Sequence, residues 1–223
     1  MKKFKVLEIK ESVFEDNNQQ AELLRQELKK NKTFLLNLMS SPGSGKTCTV
    51  LRTIEVLGKE MSIGVLEADI DSDVDAHAVY KAGAKVIQLH TGGMCHLDAD
   101  MTKQGLEGLG IGDIDCGILE NVGNLVCPAE FDTGASKNAM ILSVPEGDDK
   151  PLKYPLMFSK VDILLINKID TLDYFDFDLE AVKERAKKLN SNIEVIPISA
   201  KTGEGIDEWS NWLRAEVKNW KEV

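Results

Sequence analysis

Apolar residues fall into two kinds of segment that alternate along the chain. Short continuous runs, such as residues 33–39 ("TFLLNLM") and 161–170 ("VDILLINKID"), are typical of strands buried on both faces of a parallel sheet. Between such runs apolar residues recur at helical spacing, as in residues 178–190 ("DLEAVKERAKKLN"). The alternation predicts an α/β fold with a doubly wound, mostly parallel sheet.

The remaining elements follow the same pattern. An acidic turn at 69–75 follows one predicted strand, and a loop is expected at 108–112. The other predicted strands are 62–69, 84–90, 115–122, 137–147 and 193–201, and the other predicted helices are 49–60, 76–83, 97–108 and 205–220.

Residues 17–30 precede the first strong strand and predict a helix with Ala21, Leu24 and Leu28 on one stripe. This helix looks like an addition to the core. We therefore divide the chain into an N-terminal extension with one helix, residues 1–31, and one α/β domain, residues 32–223, since 223 residues are too few for two comfortable domains.

Composition excludes several classes of function. With 37 acidic and 27 basic residues the net charge is -10, which disfavours binding to nucleic-acid backbones. No apolar run approaches the roughly 20 residues needed to span a membrane, and no signal peptide is evident, so we expect a cytoplasmic protein. Four cysteines in such a chain are better suited to metal binding than to a disulfide framework.

The stretch 40–47 ("SSPGSGKT") follows an apolar strand and opens a helix, which is the context of a phosphate-binding loop. Backbone amides of such a loop surround phosphates, Lys46 reaches the β- and γ-phosphates, and the Thr47 hydroxyl binds Mg²⁺. Ser40 stands where the usual motif has a glycine, and serine can adopt the extended conformation of a strand end. The predicted nucleotide-binding residues here are Gly43, Ser44, Gly45, Lys46, Thr47 and Cys48.

Two later loops indicate guanine as the base. In 167–170 ("NKID") the Asp170 carboxylate can accept hydrogen bonds from the ring N–H and the exocyclic amine of guanine, a donor pair that adenine lacks. Asn167 would brace the loop, and the stem of Lys168 would cover the base. A second loop, Ser199, Ala200 and Lys201, follows another strand, and the Ala200 amide is placed to donate to guanine O6. GTP is the expected nucleotide.

The stretch 120–123 ("ENVG") matches the D-x-x-G segment that senses the γ-phosphate in GTPases, with Glu120 replacing the aspartate. We expect Gly123 to contact the γ-phosphate and Glu120 to reach Mg²⁺ through a water molecule. Asp69 and Asp75 are further candidates near the Mg²⁺ ion or the attacking water. The predicted catalytic residues are Lys46, Thr47, Glu120 and Gly123.

Cys127 lies four residues after Gly123, within about 14 Å even in an extended chain. Cys95 and His96 form a pair just after the predicted strand 84–90, and loops at the carboxyl ends of strands gather at one edge of such a sheet. The three side chains are suitable ligands for Zn²⁺ or Ni²⁺. Two structural roles stay open: His96 as a helix-start residue and Cys127 as a small buried hydrophobe. Cys48 and Cys116 are expected in the core.

Together "SSPGSGKT", "TGGMCHLDADM", "ENVGNLVCPAEFD" and "NKID" resemble the HypB-type GTPases of the SIMIBI class, which help insert nickel into nickel–iron hydrogenases. The resemblance implies a P-loop GTPase domain in which Cys95, His96 and Cys127 bind Ni²⁺ or Zn²⁺. It also implies a slow GTPase that forms a GTP-dependent homodimer, with other hydrogenase maturation proteins and the hydrogenase large subunit as partners. Asn124 stands where a water-orienting glutamine is often found, which agrees with slow turnover.

Two departures and three alternatives accompany the resemblance. The acidic turn at 69–75 departs from the family pattern, so the resemblance does not assign separate roles to Asp69 and Asp75. The first 30 residues contain no cysteine and no histidine, so the nickel-storage stretches of some members are not expected. The alternatives are a related chaperone GTPase for a cobalamin enzyme, one for urease, and a GTP-dependent dimeric switch whose zinc is structural. The Cys-His pair argues against the cobalamin alternative, and a urease chaperone would more often carry Cys-Pro-His.

Overall fold

The computed structural model describes residues 9–69 and 74–222, with side chains described from residue 14 onward. Seven strands form one sheet in the order β3-β2-β4-β1-β5-β6-β7, and every neighbouring pair is parallel. The strands are β1 (Phe34–Ser40), β2 (Ile63–Asp69), β3 (Lys85–His90), β4 (Cys116–Glu120), β5 (Lys137–Ser143), β6 (Ile163–Asn167) and β7 (Glu194–Pro197). The predicted fold is confirmed.

Helices cover both faces of the sheet, and two 3-10 helices follow β5 and β6 at Val144–Glu146 and Ile169–Tyr174. The α-helices of the described residues are α1 (Ile9–Lys30), α2 (Lys46–Leu57), α3 (Val74–Lys81), α4 (Ala99–Leu109), α5 (Cys127–Glu130), α6 (Lys150–Lys153), α7 (Pro155–Lys160), α8 (Leu179–Leu189) and α9 (Ile206–Glu222).

Strand β1 shows why the sheet is doubly wound, because all seven of its residues are buried. Its Leu36 belongs to a buried cluster with Trp209 of α9. The neighbouring residue Leu35 lies on the opposite face of the sheet, in a different buried cluster with Leu28 of α1 and Leu106 of α4. Successive strand residues point to opposite faces, so a continuous apolar run needs helices on both sides.

Helix α1 is longer than the predicted 17–30, since it begins at Ile9. The predicted stripe is buried: Ala21, Leu24 and Leu28 are at most 2% exposed, and the two leucines share a core cluster with α4. The division into an extension (1–31) and a GTPase domain (32–223) remains our proposal. Among the described residues, no helix combines the length and the apolar character needed to cross a membrane.

The apolar pattern predicts no helix or strand in residues 148–160, and the structure differs there. Two short helices lie there, each with a proline, Pro151 or Pro155, in its first turn. Proline ends helices but is also well tolerated at their first position, so the same residues that interrupt the pattern start these helices. Part of the predicted acidic turn, residues 70–73, lies outside the described residues.

Candidate nucleotide pocket and thiol–imidazole cluster

The phosphate loop lies between β1 and α2, at the carboxyl edge of the sheet. Gly43 and Gly45 have positive φ angles of 73° and 101°, which glycine adopts without strain. A Cβ on Gly45 would also lie 2.5 Å from the Asn167 amide nitrogen. Helix α2 begins at Lys46, so its unpaired N–H groups face the loop and favour a phosphate there.

Two side chains of the loop have partners within the pocket. The Lys46 ammonium donates to the Ser40 hydroxyl at 3.1 Å, and Ser40 is the last residue of β1, as expected of an extended strand end. The Thr47 hydroxyl donates to Glu120 Oε1 at 2.9 Å. The bond between Thr47 and Glu120 therefore joins two stretches, 40–47 and 120–123, that were predicted separately.

Two buried carboxyl groups face each other beside Thr47. Glu67 is 3% exposed and Glu120 is 4% exposed, and both line a cavity of about 600 Å³ with the phosphate loop, Asp69 and Asp75. Glu67 Oε1 and Glu120 Oε2 have no hydrogen-bond partner. Burial, with the neighbouring Glu120 carboxylate, raises the pKa of Glu67 to about 9, and burial also raises the pKa of Glu120. Unpartnered carboxylate oxygens favour a hard cation, so these residues fit Mg²⁺.

Glu67 is the functional candidate that sequence reasoning missed. It stands in β2 ("IGVLEAD"), where the four residues before it and Ala68 after it are buried as well. A single carboxylate interrupting a buried apolar run was the available signal, because such a group is rarely buried without a partner or a metal ion.

The guanine-binding candidates are joined to the phosphate loop by Asn167. Its side chain is buried; Nδ2 donates to the Ser44 carbonyl at 2.9 Å, and Oδ1 accepts from the Ala200 amide at 3.1 Å. The Lys168 ammonium donates to the Gly43 carbonyl at 2.7 Å. The Ala200 amide is thus bonded to Asn167 here, and its expected bond to guanine stays a prediction.

Asp170 has partners from the third nucleotide loop. Its Oδ1 accepts from the Ser199 hydroxyl at 2.6 Å, and Lys201 Nζ lies 3.9 Å from Oδ2. The three loops predicted to bind the nucleotide therefore adjoin one another at the carboxyl edge of the sheet.

The structure separates the two cysteines that were expected in the core. Cys116 is buried at the start of β4, as expected. Cys48 is exposed and lines the nucleotide cavity, so its placement in the core is wrong. The reason is its position in the first turn of α2, beside the loop rather than over the sheet.

Cys95, His96 and Cys127 form a thiol–imidazole cluster, the name we use for these three residues. Their ligand atoms all lie within 4.8 Å of one another. The two sulfur atoms are 2.9 Å apart, and Cys95 Sγ lies 3.9 Å from His96 Nδ1. All three side chains are half-buried, which keeps them open to an arriving ion. The spacing is close to that of ligand atoms sharing one metal ion.

Protonation of the cluster follows its surroundings. Burial lowers the pKa of the His96 imidazole, which favours the neutral ring that binds metals. The neighbouring Cys95 thiol raises the pKa of Cys127, because one sulfur resists losing its proton beside the other. A bound cation reverses that effect and deprotonates thiols, so the ion itself completes the site.

The loop that carries Cys95 and His96 is fixed at both ends. Thr91 at its start accepts a turn bond from Met94 and donates its hydroxyl to the Met94 carbonyl at 2.7 Å. At its other end Asp98 caps α4 by accepting from the Met101 amide. Asp98, rather than His96, therefore starts the helix, and the half-buried Cys127 is not a core residue.

The segment 120–127 touches both sites. Gly123 lines the nucleotide cavity so close to the phosphate loop that a Cβ there would lie 3.0 Å from Pro42. The next residue, Asn124, donates through Nδ2 to the Cys95 carbonyl at 3.4 Å. Cys127 then begins α5. One short stretch of chain thus connects the nucleotide pocket to the cluster.

Comparison with known proteins identifies the family. The family model described as "CobW/HypB/UreG, nucleotide-binding domain" matches residues 34–197. The chain is 45% identical over 214 residues to hydrogenase maturation factor HypB of Azotobacter vinelandii, covering 95% of this chain and 70% of the relative. The chain belongs to the HypB family. The expected resemblance is confirmed.

Solved HypB structures have the same fold as this chain. HypB of Archaeoglobus fulgidus superposes with a TM-score of 0.85 at 38% identity, covering 91% of this chain and 98% of that one. HypB of Helicobacter pylori, solved in complex with nickel, superposes with a TM-score of 0.86 at 36% identity, covering 92% and 96%. Each of these superpositions covers more than 90% of this chain, so the shared fold is not confined to the sheet.

Proposed function

We propose that this HypB family member is a GTP-hydrolysing metallochaperone that assists nickel insertion into nickel–iron hydrogenase. The observation that carries the proposal is the thiol–imidazole cluster, joined by segment 120–127 to a P-loop nucleotide pocket. HypB of Helicobacter pylori has been solved in complex with nickel, and that supports nickel as the cargo here.

Binding of GTP rests on the three loops described above. Backbone amides of Gly43, Ser44 and Gly45 and the N-terminus of α2 surround the phosphates, and Lys46 neutralises the β- and γ-phosphates. Asp170 accepts two hydrogen bonds from guanine, while the Lys168 stem covers the base. Hydrogen bonds of Asn167 to Ser44 and to Ala200 hold the base-binding loops at a fixed separation from the phosphate-binding loop.

Hydrolysis uses the buried carboxylate side of the pocket. Thr47 and Glu120 would hold Mg²⁺, with Asp69, Asp75 and Glu67 close by. When bound, Mg²⁺ supplies positive charge to the phosphate oxygens as charge moves onto them. Lys46 stabilises the same charge, and the Gly123 amide contacts the γ-phosphate. Asn124 cannot orient water as a glutamine does, so intrinsic turnover is slow.

The cargo site exchanges metal because it is incomplete and partly open. Deprotonated Cys95 and Cys127 with neutral His96 supply three ligands to Ni²⁺ or Zn²⁺ and leave one position for water, a second subunit or an acceptor. When the γ-phosphate leaves, Gly123 loses its contact and segment 120–127 relaxes. The contact between Asn124 and the Cys95 loop changes with it, and the metal is released.

The bound nucleotide also controls the oligomeric state of the protein. GTP favours a homodimer with the two clusters near the interface, and release delivers nickel through other maturation proteins to the hydrogenase large subunit. We place this chemistry in the cytoplasm.

The test is equilibrium binding of Ni²⁺ and Zn²⁺ to the purified protein with GDP and with a non-hydrolysable GTP analogue, together with the mass in solution. We expect the metal affinity to differ between the two nucleotides and a dimer to form with the GTP analogue. Identical metal binding in both states would instead indicate a structural zinc site and remove the delivery function. GTP hydrolysis is measured in the same preparation, and fast multiple turnover would contradict the proposed mechanism.

A further inference from the structure

The ring of His96 is stacked on Phe131, outside the set of metal ligands. The two ring centres are 3.8 Å apart and the planes differ by 19°. Phe131 directly follows α5, so it is four residues beyond Cys127 and belongs to the same short stretch. One aromatic side chain therefore lies against one ligand and is tied by the backbone to another.

Phe131 is supported from behind by helix α1. The ring of Phe14 lies 4.9 Å from that of Phe131, centre to centre, with the planes tilted by 44°. Aromatic pairs at this distance and tilt are attractive beyond the apolar area that they bury. The three rings form a continuous row, which we call the aromatic row, from α1 through Phe131 to His96.

Polar contacts fix α1 against the two segments that carry the cluster, one with Cys95 and His96 and the other with Cys127. The Asn17 amide donates to the Asp132 carbonyl at 2.9 Å, and its oxygen accepts from the Ala99 amide at 3.0 Å. Arg25 forms a two-pronged ion pair with Asp132, with Nη1 at 3.2 Å from Oδ1 and Nη2 at 2.5 Å from Oδ2. Asn17 therefore joins the segment after Phe131 to the start of α4, just after His96.

We propose that Phe131, supported by Phe14 of α1, is a positioning residue for the metal ligand His96. The inference rests on the proposed metal cargo at the cluster, and it adds α1 to the metal site. The polar contact of the ring within the cluster, Nδ1 to Cys95 Sγ at 3.9 Å, is long, so ring stacking sets the plane in which the imidazole nitrogens point. Fixing a ligand before the metal arrives reduces the entropy lost on binding.

The aromatic row can be tested by equilibrium Ni²⁺ binding to the full chain with GDP present. Phe131→Leu keeps apolar volume but removes the ring, and we expect an affinity loss of about 10-fold, as for other groups that orient metal ligands. Phe131→Tyr keeps the ring and should restore wild-type affinity. Phe14→Leu removes the ring that supports Phe131 and should give a smaller loss of the same sign. Leu23→Ala, an exposed apolar residue of the same helix, is the matched control and should change nothing.

A double-mutant cycle separates positioning from a general structural effect. If Phe131 acts through His96, then Phe131→Leu should cost no further affinity in a His96→Ala background. A loss of equal size in both backgrounds, or wild-type affinity in Phe131→Leu, would overturn the proposal. GDP affinity and the melting temperature are recorded for each variant. If Phe131→Leu does not fold, the same cycle with Phe14→Leu decides by the same criteria.

Failure of this inference can be distinguished from failure of the proposed function. If Cys127→Ala binds Ni²⁺ like the wild type, the cluster is not the cargo site and both proposals fall. If Cys127→Ala loses the metal while Phe131→Leu and Phe14→Leu retain it fully, only the positioning role is lost.

Discussion

The nucleotide pocket and the thiol–imidazole cluster lie at the carboxyl edge of the sheet, but their side chains are held in place differently. In the pocket, Asn167, Glu67 and Glu120 are at most 4% exposed and belong to strands, Asn167 and Glu120 as the last residues of β6 and β4, so the sheet fixes them. In the cluster, all three residues are half-buried on loops or a one-turn helix, and their neighbours are the side chain of Asn124 and a stacked ring.

This difference separates a site that selects its ligand from a site that must release it. The pocket's hydrogen bonds join three loops to one another, so the protein approaches the nucleotide with its geometry already set. The cluster depends on contacts that a small movement of segment 120–127 would change. A pocket with its geometry set, and a cluster in which Cys127 can move relative to the held Cys95 and His96, are what a switch of this kind requires.

The largest effect that separates the two sites is expected for Asp170→Asn. Loss of the carboxylate should weaken GTP binding at least about 100-fold, because each hydrogen bond to a charged group contributes about 1.5–3 kcal/mol. Xanthosine triphosphate, which offers an oxygen where guanine offers an amine, should then bind better than GTP. Competition binding measures both affinities.

Asp173→Asn is the matched control, since Asp173 is exposed in the same 3-10 helix. Nickel affinity without nucleotide should be unchanged in both variants. An Asp170→Asn protein that still prefers GTP would show that the base is selected elsewhere.

For the cluster, Cys127→Ala should lower nickel affinity by about 100-fold or more, since removal of a ligand exceeds the 10–100-fold cost of losing an orienting partner. GTP affinity should stay within error of the wild type. Cys116→Ala removes a thiol that is buried in β4 and should leave nickel affinity intact. Competition with a coloured chelator reports the affinities, and equal loss in both variants would exclude a specific role for Cys127.

The rigidity of the pocket predicts a clear stability effect for Asn167→Ala. The Ser44 carbonyl and the Ala200 amide would each lose a buried partner, and the free energy of unfolding should fall by about 2–3 kcal/mol. Urea denaturation measures the change. Asn219→Ala, at an exposed position of α9, should stay within about 0.5 kcal/mol of the wild type. Equal stability of the two variants would contradict the rigid description.

The smallest effect concerns communication between the two sites. We expect wild-type nickel affinity to differ about 10-fold between the GTP analogue and GDP, within the usual range of coupling between two sites. Gly123→Ala should abolish most of that difference, because the added methyl group would press on the backbone of Pro42 at 3.0 Å.

Gly108→Ala provides the comparison for this last experiment. Its methyl group would meet only the flexible end of Ile87 at 3.3 Å, far along α4, and should preserve the nucleotide effect. Persistence of the full effect in Gly123→Ala would show that the two sites communicate by another route.

The fold was predictable because its signals are local. Continuous apolar runs define buried parallel strands such as β1 and β6, and the spacing of glycines with Lys46 and Thr47 marks the phosphate loop in any such sheet. Helices α6 and α7 were not predicted, since a proline interrupts the pattern by which short helices are detected.

The parts of the site that were missed depend on contacts between distant elements. Glu67 belongs to the pocket because β2 lies beside β4, which places it next to Glu120. Phe131 matters because α1, more than 100 residues earlier, brings Phe14 against it. Cys48 was placed in the core because the sequence does not show which residues in the first turn of α2 face the nucleotide cavity rather than the sheet.

The shortness of the connection between Glu120 and Cys127 has a consequence for how such a protein can change over time. Six residues lie between Glu120 and Cys127, so their backbones are at most about 25 Å apart even when the chain is fully extended. A surface loop ordinarily tolerates insertions, since each doubling of its length costs little free energy. Here extra residues would leave both sites folded, but a movement of Gly123 would then no longer be transmitted to Cys127. The length of this stretch is therefore a trait on which selection can act, apart from the identity of any residue in it.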